Sequence, residues 1–179
     1  MKLTDQKINK ICLIGSSELM LYCAEILNKF KIKTVIILSQ RHAKSILPLQ
    51  NKSPRYLFKK FSAQVKIVKD INNNKSINFL KKYNASLHLC FGPSWIFSEK
   101  LLNIKKNSFF NINCIPIPKY LGGAHYTWQI LTSNRESGFF IQQINSNIDR
   151  GNIIYNKKKI ISGKLISPMD YFIKNLNFQ

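Results

Sequence analysis

KICLIGSSELMLYCAEILNKF (residues 10–30), followed by KTVIILSQ (33–40), decides the fold class. The first part reads as a buried strand, a Gly-Ser-Ser turn and a helix. Ser16 or Ser17 can serve as N-cap, and Leu19, Cys23, Ile26, Leu27 and Phe30 keep helical spacing. The second part is another apolar strand. Both strands are continuous rather than alternating in apolar residues, which requires cover on both sheet faces. Strand–helix–strand with such strands is the opening of a parallel α/β sheet, Rossmann-like, with helices on both faces. GSSELM lacks the second and third glycines of a dinucleotide fingerprint, so Gly15 alone does not imply a bound dinucleotide.

The same alternation of elements continues. QVKIVKD (64–70) reads as a strand, KSINFLKKYN (75–84) as a helix, and ASLHLCFG (85–92) as a strand ending at Gly92-Pro93. A helix is expected around Ser94 to Leu101, then a strand at SFFNIN (108–113). AHYTWQILTSN (124–134) is helical by the spacing of Trp128 and Leu131. GFFIQQI and GNIIYNKKKII are strands flanking NSNIDR, a turn rich in Asn, Ser and Asp. With 179 residues and no repeat or low-complexity linker, one domain over residues 1–179 is expected.

A net charge of +20 raises the question of nucleic acid. The excess is 24 Lys against 4 Arg, alongside 26 Ile and 19 Asn, and the lysine pairs and triplets are spread along the chain. Arg, not Lys, suits bidentate phosphate and base contacts. The lysines therefore read as a dispersed solvated surface, and no dedicated nucleic-acid surface is expected. No apolar run reaches the ~18 residues of a membrane span, and the polar start has no secretory apolar core. Cys12, Cys23, Cys90 and Cys114 form no CxxC pair, and three of them sit in apolar runs as small hydrophobes. A reduced, cytoplasmic protein without a membrane partner is expected.

In open α/β sheets the reacting groups lie past the carboxyl ends of strands. Three such ends stand out: Phe91-Gly92-Pro93, Asn111-Ile112-Asn113 and the turn holding Asp149. Strand alternation puts Asn111 and Asn113 on one face, and Gly151 frees the backbone after Asp149 to turn tightly. His88, inside ASLHLC, reads as a hydrogen-bonded core histidine, and His42, in RHAKS, as solvated. Trp95 and Trp128 read as packing residues. Three lone histidines without ligand spacing point to no metal.

FNINCIPIPKYLGGAHYTWQIL (110–131) and SGFFIQQINSNIDRGNII (137–154) resemble the core of the formyltransferases that use 10-formyltetrahydrofolate. That group includes the methionyl-tRNA, glycinamide-ribonucleotide and nucleotide-amino-sugar N-formyltransferases. Their pattern is Asn-x-His, a proline, a glycine after the loop, a helix, a Gly-started strand and Asp-x-Gly. This chain matches at Asn111, Pro118, Gly122, Trp128, Gly138, Asp149 and Gly151, and CFGPSWIF (90–97) stands where the family has its folate-side loop. The resemblance implies 10-formyltetrahydrofolate as formyl donor, held around Phe91, Gly92, Pro93, Ile148 and Asp149, with Gly122 and Gly123 on the acceptor side. It implies that Asn111 donates to the formyl oxygen as charge develops there, and that Asp149 orients the proton-handling group.

One departure is central. Asn113 stands where the family has its histidine, and Leu121 stands where it has a basic residue. A carboxamide does not titrate near neutral pH and so cannot be a general base. His125, beside Gly122-Gly123 at the start of a helix, is the one imidazole placed to take over, and a helix N-terminus would keep it neutral. The resemblance implies a primary-amine substrate, most closely a nucleotide-linked amino sugar. The alternatives are a weakened or inactive homologue that only binds folate or nucleotide-sugar, and a fragment of a methionyl-tRNA formyltransferase, which would make tRNA the partner. SPMDYFIKNLNFQ (167–179) reads as the start of another helix, which suggests truncation relative to the longer members.

Overall fold

The computed structural model describes residues 8–61, 64–115, 124–164 and 167–176. Contacts divide the chain into two compact units, residues 1–110 and 111–179.

The first unit is built on four parallel strands: β1 (Lys10–Gly15), β2 (Lys33–Ser39), β3 (Gln64–Val68) and β4 (Leu87–Phe91). They lie in the order β3-β2-β1-β4, with Cys12 opposite both Val35 and His88. Ile11, Cys12, Leu13 and Ile14 are all buried, as are Val35 to Leu38, so these central strands are covered on both faces. Each such Ile or Leu is worth roughly 1.5–3 kcal/mol of burial, which holds these strands at the centre of the sheet. β5 (Phe109–Asn113) begins beside β4, where the His88 amide donates to the Ser108 carbonyl at 2.8 Å.

Helices in this unit start at side-chain caps. Ser17 Oγ accepts from the Met20 amide at α1 (Glu18–Lys29), so Ser17 and not Ser16 is the cap. Ser39 caps α2 (Gln40–Lys44), and Ser53, followed by Pro54, caps α3 (Pro54–Phe58). Asn73 caps α4 (Asn74–Tyr83), which ends on Asn84 in the left-handed region. Ser98 caps α5, which covers only Glu99–Leu102; the helix expected from Ser94 is absent over 94–98 because the cap comes four residues later. The buried face of α1 is Met20, Leu21, Ala24 and Leu27, while Ile26 and Phe30 are exposed. Of the residues read from spacing, Leu27 is buried and Leu19 and Cys23 are half-buried; apolar residues stand on more than one side of this helix, so spacing alone did not fix its buried face.

The second unit holds the end of β5, α6 (His125–Leu131), β6 (Glu136–Gln143), β7 (Ile153–Ile160) and α7 (Pro168–Leu176). Its strands lie in the order β5-β6-β7, and β6 and β7 are antiparallel. The pairing passes from Ile141–Tyr155 to Gln142–Ile153, an irregularity that leaves Ile154 unmatched next to the turn. Trp128 and Leu131 are 58% and 69% exposed, against the packing role expected for Trp128; α6 instead buries Gln129. The Gln129 amide donates to the Glu136 carbonyl, so this helix is held by a polar side chain that periodicity does not reveal.

Seven strands in a mostly parallel sheet with intervening helices give the α/β, Rossmann-like class expected from residues 10–40. Among the described residues no helix is long and apolar enough to cross a membrane.

Candidate functional site

Asn111, Asn113, His125 and Asp149 all belong to the second unit, at the end of β5, the first residue of α6 and the β6–β7 turn respectively. Phe109 and Phe110 anchor β5 in buried surroundings, and the strand then becomes half-buried from Asn111 to Asn113. Asn111 Oδ1 is buried and, among the described residues, has no hydrogen-bond partner. An unpaired buried carboxamide oxygen costs roughly 1–3 kcal/mol, so the strand end keeps a polar atom that an incoming N–H would satisfy. Asn113 behaves differently. Its Oδ1 accepts from the amide of its own neighbour, Cys114, at 2.8 Å, which occupies the side chain locally.

The backbone after Asn113 is held from behind. Ser137 Oγ donates to Asn175 Oδ1 and lies 3.4 Å from the Cys114 carbonyl, while Asn175 Nδ2 donates to Tyr126 Oη at 3.3 Å. Thus α7, α6 and β6 meet on one polar network behind the strand end. Burial pushes the Cys114 thiol up to about 11, so it is protonated at neutral pH and is no thiolate nucleophile.

Asp149 occupies the turn in the left-handed region, with φ of 54°. Gln142, only 4% exposed, reaches from β6 to donate through Nε2 to the carbonyls of Asp149 (3.0 Å) and Gly151 (2.9 Å). Gln143 N–H closes the hairpin on the Asn152 carbonyl at 2.8 Å. Gly151 is required here because a Cβ would lie 1.6 Å from the Gln143 carbonyl oxygen. Gln142 was not singled out from sequence. The signal was there, a polar residue next to a tight turn with carbonyls to satisfy, but only the bulged register shows which way it points. Ile148 stands exposed at the tip of the turn.

His125 opens α6 without any side-chain cap, after Ala124 in the left-handed region. Its ring packs edge-on against Tyr126 at 4.1 Å. Burial lowers its pKa to about 4, so the imidazole is neutral at pH 7; the cause is desolvation rather than the helix end that sequence reasoning invoked. Gly122 and Gly123, with Pro118 and Leu121, lie outside the described residues.

The folate-side stretch is in the first unit. Phe91 is 2% exposed and its carbonyl accepts from the Ser16 amide at 3.0 Å, so its ring is core and its carbonyl is already paired. The contact is close because Gly15 sits there at φ of 115°; a Cβ at Gly15 would stand 2.2 Å from that oxygen. Gly92, at φ of 58°, has open space where a side chain would be. The following Ser94 Oγ lies 3.0 Å from Ser39 Oγ and 3.3 Å from His42 Nε2. His42 is therefore half-buried in α2, not solvated as expected, and burial lowers its pKa. Trp95 Nε1 donates to the Lys69 carbonyl at 3.1 Å. His88 is a core residue, 1% exposed, with Nδ1 3.0 Å from Ser108 Oγ and its ring stacked on Phe109 at 4.0 Å.

Cys12 and Cys90 are buried, Cys23 and Cys114 half-buried, and all four are free thiols. Among the described residues no group of three His, Cys, Asp or Glu is arranged to hold a metal ion.

Known proteins share both the sequence pattern and the fold. The chain is 29% identical over 125 residues to the bifunctional polymyxin resistance protein ArnA of Wigglesworthia glossinidia brevipalpis, covering 70% of this chain and 19% of that protein. It is 32% identical over 88 residues to the methionyl-tRNA formyltransferase of Borrelia garinii, covering 49% of this chain and 28% of that one. It thus spans less than a third of the length of these curated relatives. The N-formyltransferase from Helicobacter canadensis, solved with folinic acid and dTDP-3-aminofucose, superposes with a TM-score of 0.73 at 20% identity, over 96% of this chain and 60% of that one. The sequence model of the formyl transferase family matches residues 10–166, from β1 through the Asn111 and Asp149 motifs and past β7; the chain belongs to that family.

Proposed function

We propose that this chain transfers a formyl group from 10-formyltetrahydrofolate to a primary amine, in the cytoplasm, with a nucleotide-linked amino sugar as acceptor. The observation that carries the reading is the buried Oδ1 of Asn111 at the end of β5, without a hydrogen-bond partner among the described residues. Formyl transfer joins an amine nitrogen to the formyl carbon, and the proton the amine loses ends on the nitrogen that leaves. A carboxamide suits both sides of this exchange. Its Oδ1 can accept from the attacking amine, and its Nδ2 can donate to the formyl oxygen as charge develops there. 10-Formyltetrahydrofolate supplies the activated formyl group. The turn clamped by Gln142, with Asp149 and Ile148, is proposed for the donor side; Gly122 and Gly123 are proposed for the acceptor side.

Proton transfer is the weak step. Asn113 cannot titrate, and its oxygen is engaged by Cys114. A neutral His125 with a pKa near 4 is a poor base at pH 7. Asp149 is the ionisable group of the motif that remains. The enzyme is therefore expected to be slow, lacking the ~10²–10⁴-fold that a matched general base contributes. That same tie between Asn113 and Cys114 supports the second reading, a homologue that binds folate or nucleotide-sugar with little or no turnover.

The dTDP-3-aminofucose held by the Helicobacter canadensis protein supports the amino-sugar acceptor. The methionyl-tRNA formyltransferase likeness supports tRNA as the next choice. The test is donor turnover with nucleotide-linked amino sugars, glycinamide ribonucleotide and methionyl-tRNA offered side by side. Preference for a nucleotide-linked amino sugar is expected. Turnover confined to methionyl-tRNA would replace the acceptor, and folate binding without turnover on any of them would establish the binding protein.

A further inference from the structure

The buried face of α7 is Tyr171 and Asn175, and Asn175 is 2% exposed. A leucine there would fill space without desolvating a carboxamide. What the carboxamide adds is direction, since its two ends bond in two set places.

On one side Oδ1 accepts from Ser137 Oγ on β6, itself 1% exposed, and the same hydroxyl lies 3.4 Å from the Cys114 carbonyl. Cys114 is thus held at its carbonyl while its own N–H holds Asn113 Oδ1 at 2.8 Å. On the other side Nδ2 donates to Tyr126 Oη at 3.3 Å, in the first turn of α6. Burial, and then the neighbouring Cys114, push the Tyr126 phenol well above its ordinary pKa, so it stays a neutral hydroxyl that can accept this bond. The Tyr126 ring meets that of His125 at 4.1 Å. Because α6 starts without a side-chain cap, the bond from Asn175 anchors a first turn that lacks the usual tie. The two arms therefore end on Asn113 and His125, the residues on which the proton chemistry of the site turns.

We propose, on the reading that the chain transfers formyl groups, that Asn175 is a positioning residue for that reaction, holding Asn113 through Ser137 and Cys114 and holding His125 through Tyr126. Its part is geometric: a displacement of about 1 Å at a reacting group costs on the order of 100-fold in rate.

Four variants of the full chain separate positioning from packing: Asn175→Leu, Ser137→Ala, Tyr126→Phe and the three changes together. Asn175→Leu leaves buried polar partners unanswered, whereas the triple variant removes them and should melt above it. Turnover should not follow stability. Both variants are expected to keep KM within about twofold and to lose kcat by about tenfold or more. A kcat that recovers along with Tm in the triple variant would make the network packing alone and overturn the proposal. Amide and imidazole resonances read the two arms without turnover. Ser137→Ala should shift the Cys114 amide and leave His125 in place. Tyr126→Phe should do the reverse and raise the His125 pKa above its value of about 4. Asn175→Leu should do both, and unchanged resonances at either residue in that variant would overturn the proposal. If Asn175→Leu does not fold, the single-arm variants decide in its place, each having to move its own residue. If the wild type turns over no acceptor, the functional reading falls and the resonances alone decide: movement of both residues upholds Asn175 as the side chain that holds them, and anything less overturns it.

Discussion

Gly151→Ala tests how the turn carrying Asp149 is built. The added Cβ would lie 1.6 Å from the Gln143 carbonyl oxygen, against the 3.0 Å below which real Cβ atoms are essentially never found, a shortfall of 1.4 Å. That oxygen belongs to backbone and cannot rotate away. Moving it, or moving residue 151, breaks three hydrogen bonds together: Gln143 N–H to the Asn152 carbonyl, and Gln142 Nε2 to the carbonyls of Asp149 and Gly151. At a net of roughly 1 kcal/mol each the cost is about 3 kcal/mol, the upper end for overpacking. For a chain of this size that lowers Tm by about 6–12 °C. It also raises the exchange rate of the Gln143 amide by about 100-fold. Gly92→Ala is the comparison, because there is open space where its Cβ would go and only the left-handed backbone costs energy, about 1–2 kcal/mol. Melting curves and amide exchange on both variants decide the matter. The reasoning fails if Gly151→Ala melts no lower than Gly92→Ala and keeps the Gln143 amide protected. A turn built as described also predicts that any formyl transfer falls in Gly151→Ala, because Asp149 is displaced with it.

Asn113→His, assayed for formyl transfer, is expected to raise the rate by at least about tenfold, since it supplies an imidazole where the family keeps one; no gain, together with loss of activity in His125→Ala, would assign the proton chemistry to His125. Acid should destabilise the fold through His88 and His125, whose folded pKa values lie at about 4 against 6.5 for an ordinary imidazole. Above pH 6.5 neither state is protonated there. As the pH falls from 6.5 toward 4 the unfolded chain takes up protons that the folded one refuses, so stability is lost across that window and the loss levels off below it. Denaturant titrations at pH 7, 5.5 and 4 should show the slope, and His88→Gln should reduce it. RNA binding, if the lysines are a dispersed surface, should be weak, indifferent to sequence and steeply reduced by salt; tight binding of one tRNA over matched RNA at physiological salt would reverse the reading of the charge.

Residues 10–40 determined the fold class unaided, because two uninterrupted apolar strands around a capped helix have few solutions other than a sheet covered on both faces. The start of α1 was legible to within one residue, since Ser16 and Ser17 both offered a cap and Ser17 makes it, whereas the Asn73 cap of α4 was not singled out. The motif from Asn111 to Asp149 was legible as a spacing of residue types. Tertiary structure alone decided the rest. Nothing local says that α1 buries Met20 and Ala24 rather than Cys23 and Ile26, or that α6 is held by Gln129 with Trp128 outside, since those choices depend on what the neighbouring strands present. His42 looked solvated because its partner, Ser94, is 52 residues away in sequence. Gln142 became part of the site only once the β6–β7 register aimed it at the turn. The two asparagines of β5 are the sharpest case. Sequence gave them one face and one chemistry, yet folding leaves Asn111 Oδ1 buried and open while Asn113 Oδ1 turns back onto the Cys114 amide, because hydrogen bonds are assigned by what lies within reach of each atom and not by residue type.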